Sequence, residues 1–202
     1  MAHTNERTFD PSRAHRLDSP ERLLFLPPDD AVQHMGIRPG MHVVDIGAGT
    51  GYFALPIAHL VGAEGRVFAV DMQDEMLHLL EQKLSDRDAP ANIQTQHGSA
   101  EQTGLPDACA DLVLIANVWH ELDDRGRVLS ECARLLRSGG RLAILDWRFD
   151  VDEDTPGPPL AHRVPAGAVQ SELGDGGWTG GSLEHVGLYS YLVIAERPRA
   201  RG

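Results

Sequence analysis

Cysteine is scarce in this chain: only Cys109 and Cys132 occur among its 202 residues. Their positions match neither a metal-ligand spacing nor a disulfide framework, so no metal site is expected. Cys132 is in register with Val128, Leu129, Leu135 and Leu136 on a helical apolar stripe and reads as a buried thiol. Long apolar runs are missing as well. No stretch reaches the roughly 18 residues of a membrane span, and the opening MAHTNERTFD lacks the apolar centre of a signal peptide. These absences predict a soluble, cytoplasmic protein with no membrane partner. Basic residues are outnumbered, with 18 Lys and Arg against 30 Asp and Glu, a net charge of −12. Such a field repels polyphosphates, so no nucleic-acid partner is expected. The densest basic cluster, Arg197, Arg199 and Arg201, reads as a solvated tail.

What is present is enough apolar content for one sizeable core, at 42% of residues. Residues 1–40 are polar and broken by Pro11, Pro20, Pro27, Pro28 and Pro39, with room for short helices over 19–25 and 29–35. From Met41 strands and helices alternate. Strands are expected at 42–46, 66–70, 92–97, 111–116 and 141–147. Helices are expected at 52–61, around Met76, Leu77, Leu80 and Leu84, and at 123–136, the last ended by Ser138-Gly139-Gly140. After an acidic, proline-rich loop at 152–159 come a short helix at 165–173 and two strands, 183–186 and 189–196, joined at Gly187. The pattern predicts an α/β fold, a doubly wound and mostly parallel sheet ending in an antiparallel strand at or near its edge. One domain is expected over 1–202, with an N-terminal helical lid segment (1–38), a ligand-binding core (39–150) and a C-terminal loop and hairpin (151–202).

The chemistry concentrates in Asp45-Ile46-Gly47-Ala48-Gly49-Thr50-Gly51. A glycine loop between a parallel strand and a helix lies at the carboxyl edge of the sheet, where ligands bind. Its backbone can approach a ligand closely, and the helix start offers N–H groups to an anion. Asp45 can fix the loop amides or meet an ammonium group through water. Asp71 follows Gly51 by 20 residues, at the end of the second strand. There a carboxylate can accept both hydroxyls of a ribose, and Met72 can lie against a base as a soft wall. The combination points to a nucleotide-type ligand. The glycines fall as G-x-G-x-G rather than G-x-G-x-x-G, which favours S-adenosyl-L-methionine over a dinucleotide, although Ala54 weakens the contrast.

These residues resemble the class I S-adenosylmethionine-dependent methyltransferases, most closely the small enzymes related to ubiquinone/menaquinone-biosynthesis methyltransferases. The glycine loop is similar to that family's first motif and Val70-Asp71-Met72 to its ribose-binding acidic motif. Gly98-Ser99-Ala100-Glu101-Gln102-Thr103-Gly104-Leu105-Pro106 resembles the family's third segment, which runs near the adenine edge, with Ser99 where many relatives carry aspartate. Asp111–Asn117 resembles the fourth strand, whose end faces the methyl donor, and Leu17-Asp18-Ser19-Pro20-Glu21-Arg22 resembles the N-terminus of a subgroup. The resemblance implies a seven-stranded Rossmann-like sheet with an antiparallel last strand. It also implies donor contacts from Asp45, Gly47, Ala48, Gly49, Thr50, Gly51, Asp71, Met72, Ser99, Ala100 and Asn117, a small-molecule methyl acceptor, and N-terminal helices folded over the donor. The sulfonium is already activated, so no metal is required. His120, just past the fourth strand, is the candidate general base or substrate-orienting residue. Glu121 beside it can serve the site or cap the next helix. Two other readings remain, a non-catalytic S-adenosylmethionine-binding module and an NAD-linked oxidoreductase.

Overall fold

The computed structural model describes residues 9–197. Its strands are β1 (His42–Ile46), β2 (Arg66–Asp71), β3 (Ile93–His97), β4 (Ala110–Ala116), β5 (Leu136–Trp147), β6 (Thr179–Val186) and β7 (Ser190–Glu196). They form one sheet in the order β3-β2-β1-β4-β5-β7-β6. The first five pair in parallel, and β7 is antiparallel to both β5 and β6. The strand order reverses between β1 and β4, and the crevice beyond their carboxyl ends is the expected ligand position.

The helices are α1 (Pro20–Phe25), α2 (Pro28–His34), α3 (Ala54–Val61), α4 (Asp74–Leu84), α5 (Arg125–Leu135) and α6 (Ala166–Asp175). Alternate strand residues feed two cores, as the two-residue period of a strand requires. Val44, Ile46, Val113, Ile115 and Ile144 meet Cys132 and Leu135 of α5 and Val169 and Leu173 of α6. Val43, Leu112, Leu114 and Leu145 meet Ile57 and Val61 of α3 and Ala31 and Val32 of α2. Each fully buried aliphatic side chain contributes about 1.5–3 kcal/mol, and this two-sided burial holds the strand ends that carry the site. Among the described residues no helix is long and apolar enough to cross a membrane.

Three local readings change. The helix expected from 123 starts at Arg125, because the Asp124 carboxylate accepts from Arg127 N at 3.0 Å and caps it there. The Ser138-Gly139-Gly140 turn lies inside β5. Leu136 already pairs with Ala110 and pairing resumes at Arg141 with Leu112, so the residues between form a bulge, with Gly139 at φ +78°. Arg197 is no solvated tail: its N–H donates to Gly140 O at 2.9 Å and its Nη1 to Leu136 O at 2.6 Å, fastening that bulge. Arg199 and Arg201 lie outside the described residues, as do residues 1–8 of the expected lid segment.

The rest of that segment is docked. Leu26, Ala31, Val32 and Met35 are buried, Tyr52 Oη donates to Leu26 O at 2.6 Å, and Leu188 N donates to Phe25 O at 2.8 Å. Its path carries it across the carboxyl edge of β1.

Candidate active site

A cavity of about 300 Å³ opens at the carboxyl ends of β1, β2 and β4. Ten of the expected donor-binding residues line it: Asp45, Gly47, Ala48, Gly49, Thr50, Asp71, Met72, Ser99, Ala100 and Asn117. Gly51 and His120 do not line it. Gly51 acts one layer back: at φ +86° its missing Cβ leaves room for Leu80 Cδ1 of α4, which would stand 2.5 Å away. Gly47, at φ +73°, lies so close to the Val118 side chain that a Cβ would overlap it. The loop therefore needs glycine for backbone shape and for packing.

Four of the loop amides, those of Gly47, Ala48, Gly49 and Gly51, are engaged within the protein. Gly47 N and Ala48 N donate to Val70 O at 2.8 and 3.0 Å, and Gly51 N to Ala48 O at 2.9 Å. Gly49 N donates to Asp71 Oδ2 at 2.8 Å, while Gln73 N donates to Asp71 Oδ1 at 2.9 Å. Asp71, not Asp45, is thus the carboxylate that fixes the loop. Each of its oxygens keeps a second lone pair, enough for a ribose diol.

Asp45 is 1% exposed, and its Oδ2 has no hydrogen-bond partner among the described residues. Burial, reinforced by the nearby Asp71 charge and opposed by Arg22, pushes its carboxyl up to about 7. Burial also raises Asp71, against the backbone donors that favour its charged form. These groups fit the adenosyl ligand: an orphaned buried carboxylate for an ammonium, acceptor capacity at Asp71 for a diol, and the exposed Met72 with Ser99 and Ala100 on the same cavity wall for a base. Asn117, at the end of β4, holds a positive φ of 57°, and both its side-chain polar atoms are buried without partners among the described residues. Asparagine tolerates that conformation better than most residues, and strain of this kind gathers at functional sites.

The turn after β4 separates two adjacent residues. His120, 5% exposed, points inward: its ring Nδ1 lies 2.8 Å from Asp146 Oδ1 and its backbone N–H donates to Asp146 Oδ2 at 2.9 Å. Glu121 lines the cavity, with Oε1 3.8 Å from His120 Nε2 and Oε2 accepting from Phe9 N at 3.2 Å. Burial draws the His120 pKa down, but the Asp146 hydrogen bond and the Asp146 and Glu121 charges together raise it above the usual histidine value. Burial lifts Glu121 to about 7, with His120 pulling the other way. Glu121 does not cap α5, a role that falls to Asp124. Trp119, buried completely, packs in the core rather than walling the pocket.

The N-terminal segment adds Phe9, Leu17 and Arg22 to the cavity wall, the last two from the stretch that resembles a subgroup's N-terminus but none of them marked as a site residue by the sequence. Asp18 ties it down: its Oδ1 accepts from Thr50 Oγ1 at 3.0 Å, and its Oδ2 accepts from Lys83 Nζ at 2.7 Å. The same ammonium donates to Thr50 O at 2.7 Å.

Comparison with known proteins agrees with this geometry. The model of the methyltransferase domain family matches residues 44–144. The chain is 33% identical over 116 residues to a ubiquinone/menaquinone biosynthesis C-methyltransferase UbiE of Shewanella piezotolerans, covering 57% of this chain and 46% of that one. A UbiE of Ectopseudomonas mendocina is 35% identical over 137 residues, covering 66% and 50%. The chain thus spans about half the length of these curated relatives. The crystal structure of a SAM-dependent methyltransferase from Aquifex aeolicus superposes with a TM-score of 0.87 at 30% identity, over 94% of this chain and 100% of that one. This chain belongs to the class I S-adenosylmethionine-dependent methyltransferase family, on the side related to UbiE.

Proposed function

We propose that this protein transfers the methyl group of S-adenosylmethionine to a small-molecule acceptor that enters beside Glu121. The observation that carries the reading is the buried Asp45–Asp71 carboxylate pair at the glycine loop, with Asp45 Oδ2 unpartnered among the described residues. Two buried carboxylates facing one cavity are unfavourable in isolation and are offset by a ligand with a cationic end and a diol. When bound, the donor supplies an electrophilic methyl on a sulfonium, which needs no further activation.

The protein's part is positioning and proton removal. Asp71 accepts the ribose hydroxyls, Asp45 faces the ammonium, Met72, Ser99 and Ala100 border the base, and Asn117 offers its amide near the reacting end. Holding the reactants in line supplies several kcal/mol of the barrier reduction. A protonated acceptor loses its proton as the new bond forms, and Glu121, on the cavity wall, accepts it. His120 acts through Glu121 as a positioning residue, oriented by Asp146. Because the UbiE relatives are named as C-methyltransferases, a carbon acceptor is the first class to try. The oxidoreductase and non-catalytic readings are not favoured, since the family model and these relatives are methyltransferases.

Calorimetry tests this reading. S-adenosylhomocysteine binds, NAD does not, and Asp71→Ala weakens S-adenosylhomocysteine by roughly ten- to a hundredfold, the effect of hydrogen bonds to a charged group. Tight NAD binding without a response to S-adenosylhomocysteine overturns it.

A further inference from the structure

Arg22 of α1 is an unusual cation. It is 8% exposed, yet it forms no ion pair with a carboxylate of the described residues. Its Nη1 donates to Leu17 O at 2.9 Å, and its guanidinium lies over the Tyr52 ring, 3.8 Å from the centroid. A guanidinium has five N–H donors in a planar fork, so most of its capacity is left for the cavity it lines. Asp45 lines the same cavity, is still more deeply buried, and leaves Oδ2 without a partner among the described residues. The two opposite charges feel each other's field without forming a hydrogen bond. A wall that holds a buried cation and a buried anion apart is shaped for a ligand carrying both charges.

The glycine loop gives little competition for an anion. The amides of Gly47, Ala48, Gly49 and Gly51 are bonded within the protein, so these four offer it no free donor, while the charged fork of Arg22 stands on the same wall. We propose that Arg22 anchors the carboxylate of the ligand's amino-acid end while Asp45 anchors its ammonium, a zwitterion clamp half of which is carried by the N-terminal segment. This rests on the proposed donor site. Docking of the amino-acid end then adds to the contacts that already hold α1 over the cavity: the carboxylate, the Tyr52 ring and Leu17 O together hold the guanidinium.

The test compares S-adenosylmethionine with decarboxylated S-adenosylmethionine, which lacks only the carboxylate, by calorimetry on the wild type, Arg22→Gln and Arg22→Lys. The wild type prefers the intact ligand by roughly ten- to a hundredfold. Arg22→Gln loses at least tenfold of that preference, while its affinity for the decarboxylated ligand stays within about threefold of wild type. Arg22→Lys keeps the charge without the fork and retains part of the preference. If Arg22→Gln does not fold, Arg22→Lys decides, and an undiminished preference there overturns the proposal. Equal weakening of both ligands makes Arg22 scaffold and overturns it too. A wild type that binds both ligands equally defeats the clamp alone, whereas one that binds neither defeats the donor site and the clamp together.

Discussion

Asp45→Asn separates stability from binding at a single carboxylate. The side chain keeps its shape and loses its charge. In the folded protein the Asp45 carboxyl sits at about 7, against an ordinary 3.8. A carboxyl raised on folding favours the folded state while protonated. Its destabilising effect is absent below about pH 3.8, grows as pH rises through the interval, and is complete above about 7. Three powers of ten, at about 1.4 kcal/mol each, set a ceiling of ~4 kcal/mol. Between pH 5 and pH 8 about two of those three are traversed, so the stability difference between Asp45→Asn and wild type should move in the variant's favour by ~2–3 kcal/mol. Any fixed effect of the new amide group is the same at both values and cancels. Urea unfolding of both proteins at pH 5 and pH 8 measures it. Meanwhile S-adenosylhomocysteine affinity falls about ten- to a hundredfold, because the ammonium loses its anion. A stability difference that stays constant within ~0.5 kcal/mol between the two pH values refutes the reasoning, since Asp45 then titrates as an ordinary carboxylate.

Four further outcomes are expected. Once an acceptor is found, turnover should rise with pH through about 7, where Glu121 becomes charged; Glu121→Gln should lower kcat by roughly 10²–10⁴ and flatten that limb. His120→Ala should move the limb to higher pH, because His120 pulls the Glu121 pKa down, and a limb at unchanged pH breaks the link between the two. Gly47→Ala should destabilise by about 1–3 kcal/mol and abolish S-adenosylhomocysteine binding, whereas Gly40→Ala, also at positive φ but with open space around it, should cost about 1 kcal/mol and leave binding intact; equal effects at the two sites would remove the Val118 contact from the argument. Amide exchange over residues 16–26 should slow when S-adenosylhomocysteine is added, and exchange that is slow beforehand and unaltered makes the segment scaffold.

The sheet was legible wherever the signal was local. Leu112 to Ile115 is a continuous apolar run, and Val43, Val44 and Ile46 form one broken only by Asp45, because both faces of β1 and β4 are covered. Asp71 and the glycine loop carry their spacing openly. The start of β5 at Leu136 was hidden, since its pairing with Ala110 before a bulge is a tertiary fact that the glycines at 139 and 140 mask as a turn. β6 begins at Thr179, four residues before the expected start, because Gly180 and Gly181 read as loop although the strand runs through them along β7. His120 and Glu121 are adjacent in a short turn, and only the fold sends one to Asp146 and the other to the cavity. Arg22 carries no sequence signal beyond the N-terminal resemblance, and its neighbours Tyr52 and Asp45 are distant in sequence.

The antiparallel β7 has a consequence for synthesis. Strands β3-β2-β1-β4-β5 are all complete by Trp147, but the outer side of β5 stays unpaired until residues 190–196 arrive. Until then an apolar strand edge, Leu142 to Leu145, faces water with its backbone groups open to any other extended chain. A ribosome stalled after Trp147, or a nonsense mutation there, would release a chain whose sheet can join its neighbour's edge to edge. Its characteristic defect would be aggregation of nascent product, before any question of ligand binding arises.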